Sequence, residues 1–225
     1  MKIFLWIWGL LLMMTSGLEA QKLVRRAVLG IEVSEKNQRV FISKVIEGTP
    51  AEKVGIRIND ELVSLNGLKP QNYQEVAHIV KSIKPYESVE VVVRRNNQPL
   101  KLKTYLEELP KEVTWQYKTL YDELHTSNAI LRTIITTPLK NGKYPAVIFV
   151  QGVGCYPIDT PYDTTFGHVQ VLRHLSKNNI VTMRVEKSGV GDSQGEPCEK
   201  IDFQTELNHF TEALRTLKSY PFVYK

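Results

Sequence analysis

The chain has 225 residues, 42% hydrophobic and 24% charged: enough apolar material for one large packed domain or two modest ones, and too much for a disordered chain. Its 29 Lys and Arg against 24 Asp and Glu leave a net charge of +5, spread along the sequence without the basic stripe of a nucleic-acid binder. Five scattered His and two Cys form neither an HExxH nor a paired CxxC spacing, so no zinc pattern is present and no cofactor is expected.

At the N-terminus, Lys2 precedes an apolar run from Ile3 to Met14, followed by Thr15-Ser16-Gly17 and Leu18-Glu19-Ala20. The run is shorter than the ~20 residues that cross a bilayer. A charged start, an apolar middle and a small exit residue describe a secretory signal peptide over residues 1–20, cut after Ala20 or after Gly17. A retained anchor is the alternative, and a membrane would be involved only through that uncleaved segment. In both cases the remainder is exported, to a periplasmic or extracellular location.

From Ala27 to about Leu106, short β-rich runs alternate with turn residues. Val28–Val33 and Val40–Val45 flank an Asn37-Gln38 turn, and Glu61–Leu65 and Val89–Arg94 read as further strands. Tyr73–Ile83 reads as a helix, with Val76, Ile79, Val80 and Ile83 spaced by threes and fours. Gly48-Thr49-Pro50-Ala51 opens a single helical turn ending at Gly55.

In this order, Val28-Leu29-Gly30-Ile31, Gly48-Thr49-Pro50-Ala51, Gly55-Ile56, Asn59-Asp60 and Leu65-Asn66-Gly67 resemble a PDZ domain of the kind found in bacterial envelope proteases, over residues 25–108. The resemblance implies β-augmentation, in which an extended peptide pairs with Ile31–Val33 while the loop amides hold its terminal carboxylate. Leu29, Gly30, Ile31, Val33 and Tyr73 are the peptide-binding candidates it implies, and the C-terminus of a peptide or protein is the implied partner. The alternative is a PDZ fold used as a packing module, its groove covered by its neighbour.

The second block, residues 114–225, has a different rhythm. Leu131–Thr137 alternates, Ala146–Val150 is a continuous apolar run expected to be buried on both faces, and Ile180–Val185 is another. His168–Lys177 reads as a helix with Val169, Leu172 and Leu175 on one stripe. Asp202 caps a helix to Lys218 whose stripe is Phe203, Leu207, Phe210, Leu214 and Leu217. Strand, helix, strand, helix predicts an α/β domain with a mostly parallel sheet.

Gln151-Gly152-Val153-Gly154 after the first apolar strand resembles the His-Gly-x-Gly oxyanion turn of α/β-hydrolases, with Gln for His. Arg184 to Gly195 is similar to that fold's turn after the fourth strand, with Glu186 for the usual Asp. The fold class expected is therefore an α+β PDZ domain followed by the N-terminal half of an α/β-hydrolase domain. In that fold the nucleophile follows a fifth strand, so residues 114–225 read as about half a hydrolase domain and the chain alone is expected to be inactive. Gly152, Val153 and Gly154 are the oxyanion-hole candidates, and the substrate implied for a full-length enzyme is a small acyl ester or a peptide bond. A non-catalytic peptide-binding protein with a degenerate hydrolase-like region is the rival.

Gly191-Asp192-Ser193-Gln194-Gly195 matches G-x-S-x-G literally, with Asp202 and His209 following in triad order. No apolar strand leads directly into it and no helix directly follows, and Asp202 and His209 sit two turns apart on one helix, about 10 Å along its axis. The match is a decoy. Cys155 and Cys198, exported together, lie in loops after adjacent strands and are expected to form a disulfide, two buried thiols being the alternative.

Overall fold

The structure, a computed structural model, describes residues 23–163 and 165–225; the expected signal peptide lies outside the described residues. The first unit is built from β1 (Ala27–Val28), β2 (Ile31–Lys36), β3 (Arg39–Val45), the one-turn α1 (Pro50–Lys53), β4 (Glu61–Leu65), α2 (Tyr73–Ser82), β5 (Ser88–Arg95), β6 (Gln98–Tyr105) and β7 (Glu107–Glu108). Five strands form an antiparallel sheet in the order β2-β3-β4-β5-β6, and β1 pairs with β7. Asn37 and Gln38 between β2 and β3, and Asn96 and Asn97 between β5 and β6, all have positive φ, the twist that suits a two-residue hairpin. Asn96-Asn97 thus turns the chain from β5 into β6, a largely exposed strand with no apolar alternation to mark it. Val40, Ile42, Leu62, Val91 and Val93 of the sheet meet Ala51, Val76 and Ile79 in one core. The helix α2 is capped by the Asn72 side chain, which accepts the Glu75 amide at 2.9 Å.

The second unit holds β8 (Lys118–His125), β9 (Ile130–Thr137), β10 (Ala146–Phe149), α3 (Gly167–Lys177), β11 (Val181–Val185) and α4 (Phe203–Ser219). Its sheet runs β8-β9-β11-β10. The expected mostly parallel sheet is corrected here: only β10 and β11 are parallel, whereas β9 pairs antiparallel with both β8 and β11. The tight turn before Ile130 folds β9 back on β8, a strand whose partly exposed alternation left no clear apolar pattern. Burial on both faces is also corrected for β10. Among the described residues it is an edge strand, with Val147 37% exposed, while β11 is buried at every position. Asp202 does cap α4, accepting the Thr205 amide at 2.7 Å. The inward face is rotated from the predicted stripe. His209, Ala213 and Leu217 are buried at four-residue spacing, and Phe203, Leu207 and Leu214 face outward, because Ala213 lets this row sit close against the sheet.

Cys155 and Cys198 are disulfide-bonded, their Cα atoms 5.8 Å apart. The bridge joins the loop after β10 to the loop after β11 across a sequence separation of 43. On the chain-entropy account, Cys155→Ser with Cys198→Ser lowers the unfolding free energy by up to about 4 kcal/mol. Urea titration measures this loss, and native protein unfolded without reductant should show no alkylatable thiol by mass.

Candidate functional site

The loop joining β1 to β2 is set by one glycine. Gly30 has φ +90, and a Cβ there would stand 2.0 Å from the Thr49 hydroxyl oxygen, so no side chain is accommodated. Thr49 is itself buried and donates to the Ile46 carbonyl at 2.5 Å. The loop carbonyls are tied inward: Ile46 N–H donates to Gly30 at 2.9 Å and Ala51 N–H to Leu29 at 2.9 Å. Among the described residues, the Leu29 and Gly30 amides donate to no protein acceptor. The Leu29 side chain is core, so any part it takes in binding is through its backbone.

Beside this loop, β2 is the edge strand of its sheet and α2 lies along it. The Tyr73 amide donates to the Glu35 carboxylate at 2.6 Å, joining helix and strand at the far end. Ile31 and Tyr73, with Val28, Ala77 and Val80, line a cavity of about 500 Å³; Ile31, Val33 and Val80 also pack against the core, and Val33 is not among the lining residues. The facing wall comes from the second unit, through Pro157, Pro161, Tyr162 and Phe166. On the α2 side, Lys81 donates to the Gly189 carbonyl.

That wall is held by a buried ionic cluster. The Arg25 guanidinium donates through Nη1 to Asp159 at 2.7 Å and Asp192 at 2.6 Å, through Nε to the Leu109 carbonyl at 3.0 Å and through Nη2 to Pro110 at 2.9 Å. Arg132 donates to the same Asp192 oxygen at 3.2 Å, and the Arg26 amide donates to the other at 2.8 Å. Burial pushes the Asp159 carboxyl up, against the pull of Arg25. Burial also pushes Glu186 up to about 7, with the Arg26 guanidinium 3.6 Å away opposing it in part. Gly191 has φ +55, and a Cβ there would fall 1.9 Å from the Glu186 carboxylate, so the turn closes only with glycine. The cluster was not read from the sequence; its only mark there is Arg25-Arg26 directly before the first strand and Asp192 inside a glycine turn.

The second unit's predicted residues are placed as follows. The Gln151 side chain donates to the Gly154 carbonyl at 3.2 Å and the Tyr156 carbonyl at 2.8 Å, holding the turn. Lys187 Nζ donates to the Gly152 carbonyl at 2.7 Å, and Val153 at the tip is 98% exposed. The decoy residues do not meet as a triad. Ser193 is buried, donating to the Glu186 carbonyl at 3.1 Å and accepting the Arg132 amide at 2.9 Å. His209 pairs with Asn128 at 2.9 Å, and Asp202 is occupied as a helix cap. Among the described residues, no group of His, Cys, Asp and Glu could hold a metal ion, and no helix is long and apolar enough to cross a membrane.

Residues 27–106 match the family model of the PDZ domain, and the chain contains that domain. Over 215 residues it is 27% identical to a probable periplasmic serine endoprotease DegP-like of Ectopseudomonas mendocina (strain ymp), covering 79% of this chain and 44% of that protein. It is 32% identical over 85 residues to the serine protease Do-like HtrA of Bacillus subtilis (strain 168), covering 37% of this chain and 19% of the relative. With the periplasmic pH-dependent serine endoprotease DegQ of Escherichia coli (strain K12) the identity is 25% over 96 residues, 37% of this chain and 21% of the relative. The chain thus spans less than half the length of these relatives. Among solved structures, an HtrA-type protease AlgW with decapeptide aligns at TM-score 0.37 and 19% identity, over 38% of this chain and 30% of that one.

The ionic cluster carries a pH signature. Glu186 holds a proton in the folded chain up to about pH 7 that the unfolded chain releases near 4.5. Stability therefore falls as pH rises from about 4.5 to 7, by up to ~3 kcal/mol from this group. Urea midpoints at pH 5 and pH 8 measure the slope, and Glu186→Gln should flatten it.

Proposed function

We propose that the chain is an exported peptide-binding protein whose groove between β2 and α2 takes the C-terminal tail of a polypeptide. One observation carries this reading: among the described residues β2 is an unpaired strand edge, a cavity of about 500 Å³ lined by Val28, Ile31, Tyr73 and Val80 lies between it and α2, and the Leu29 and Gly30 amides of the adjoining loop donate to no acceptor. A carboxylate there gains charge-assisted bonds from donors fixed by Gly30, while the peptide backbone adds to β2. Ile31 and Tyr73 would contact its side chains. Export is supported by two relatives named as periplasmic endoproteases. A peptide with a free apolar C-terminus should bind, and its C-terminal amide should bind at least ~10-fold more weakly, one lost charge-assisted bond being worth about 1.5–3 kcal/mol. Fluorescence anisotropy with the matched pair tests this; equal binding would favour the packing-module alternative.

A second reading concerns residues 114–225, which we assign to an α/β-hydrolase-like domain. Its support is that β10 and β11 are the third and fourth strands of this unit, adjacent and parallel, and that each runs into the glycine turn the resemblance requires. In a whole enzyme the Val153 amide would donate to an oxyanion and the bond attacked would be an acyl ester or peptide bond, the latter in keeping with relatives named as serine endoproteases. Ser193 has no part in that chemistry. The 225-residue chain should turn over a p-nitrophenyl ester no faster than a boiled control, and Ser193→Ala should leave that rate unchanged; turnover lost in the variant would promote the decoy.

A further inference from the structure

Positive charge that is spread along the sequence is gathered by the fold. One end of the second sheet is built from the start of β8, the β9–β10 loop, the turn between α3 and β11, and the chain after α4. Ladder pairs bring these segments together: Lys118 with Thr137, Thr136 with Thr182, Ala146 with Val181, and Tyr144 with Val223. Residues 117–121, 137–147, 175–181 and 216–223 contain no Asp or Glu. They carry Lys118, Lys140, Lys143, Lys177 and Lys218, all exposed. Among the described residues the lysines that form ion pairs are Lys44, Lys53, Lys101 and Lys187, so none of these five is neutralised. The carboxylates that flank the segments are engaged, Asp122 by the Tyr220 hydroxyl at 2.6 Å and Glu212 by Arg215. Asp159, Glu186 and Asp192 follow the other ends of β10 and β11.

Apolar surface lies among these lysines. A groove of about 340 Å³ is lined by Lys118, Leu120, Pro138, Lys140, Pro221 and Phe222. Leu120 is 38% exposed, and Leu139 in the β9–β10 loop is 52% exposed. We infer that this end of the second unit docks on the headgroup face of an anionic phospholipid bilayer, its lysines over the phosphates and Leu139 at the acyl boundary. Charge complementarity selects an anionic partner, and two features select a bilayer. The five ammonium groups come from four separate segments and converge on no single anion, and such flexible point charges suit mobile phosphates. The exposed leucines would gain burial in a bilayer, whereas a duplex or an acidic polypeptide would use the charge and leave them in water. The sequence alone points to membrane contact only through residues 1–20; this surface is a second, peripheral contact, independent of the peptide-binding reading. It turns the loops after β10 and β11, which wall the groove, away from the lipid.

The test is co-sedimentation of the full chain with vesicles of phosphatidylglycerol and phosphatidylcholine in equal parts, set against phosphatidylcholine alone. The apolar N-terminal run would bind both lipids, so the readout is the difference between them. Half-binding is expected at about tenfold lower lipid concentration with the anionic vesicles, and the difference should vanish in ~0.5 M salt, where the Debye length is about 4 Å. Lys118→Gln with Lys140→Gln and Lys143→Gln should bring the ratio below about threefold, and Leu139→Ser should weaken anionic binding about threefold. All four side chains are exposed, so circular dichroism and the urea midpoint should match the parent. Equal binding to both vesicles, or a triple variant that keeps the tenfold ratio, overturns the inference. A ratio untouched by Leu139→Ser, with duplex DNA or polyglutamate bound as tightly as the anionic vesicles, overturns the bilayer in favour of a general polyanion surface.

Discussion

The Asp192 carboxylate is the point on which the two halves of the molecule depend. It is buried between the guanidinium groups of Arg25 and Arg132, and its second oxygen accepts the Arg26 amide. Taking such charges out of water costs several kcal/mol per ion, an expense offset only when every remaining donor finds a partner. Arg25 engages four of its five N–H groups, with acceptors drawn from the connector at 109–110, the 159 segment and the 192 turn. Arg132 engages three, with Asp192, the Asp122 carbonyl and the Leu23 carbonyl. A residue before the PDZ domain, a strand after it and two loops of the second unit are thus held at one carboxylate. Loss of any one partner would leave buried charge unpaired, so the arrangement of the domains is specified more sharply than apolar contact alone would achieve.

Legibility of this fold from sequence follows the range of the forces involved. Local signals were readable: the helix cap at Asp202, the three-and-four spacing of α2, the positive-φ turn at Asn37-Gln38, and the glycine that the 28–31 loop demands. So was the pairing of the chain's two cysteines in loops after adjacent strands. What was missed depends on partners far along the chain. The antiparallel course of β9, the edge position of β10 and the rotation of α4 toward Ala213 are set by neighbouring elements, not by composition. Ile31 and Val33 share one face of β2 and both pack against the core, so strand alternation alone does not separate a groove residue from a core one. The ionic cluster was illegible for the same reason, since Arg25 and Asp192 are separated by 167 positions.

The PDZ match ends at residue 106, whereas eight of the groove's twenty lining residues lie beyond residue 156. What this groove selects therefore cannot be carried over from PDZ domains that stand alone, even where the β2–α2 geometry is shared. The same placement joins binding to stability. A ligand that contacts both walls binds only when the domains are docked, so it favours the docked state by RT ln(1 + [L]/Kd), about 2.7 kcal/mol at a hundredfold excess over Kd. The docked state in turn depends on the carboxylates around Arg25 and Arg26. Glu186, with its proton retained to about pH 7, is in contact range of the Arg26 guanidinium that also bonds the Asp159 carbonyl of the groove wall. Ionising Glu186 adds a negative charge beside Arg26, strengthening that pair, while paying the desolvation that raised its pKa. Desolvation is the larger effect, and the nearby Asp159 and Asp192 carboxylates add to it against the pull of Arg26. An ionised Glu186 is thus a net load on the folded chain, beside the Arg25–Asp192 contact that holds the same turn.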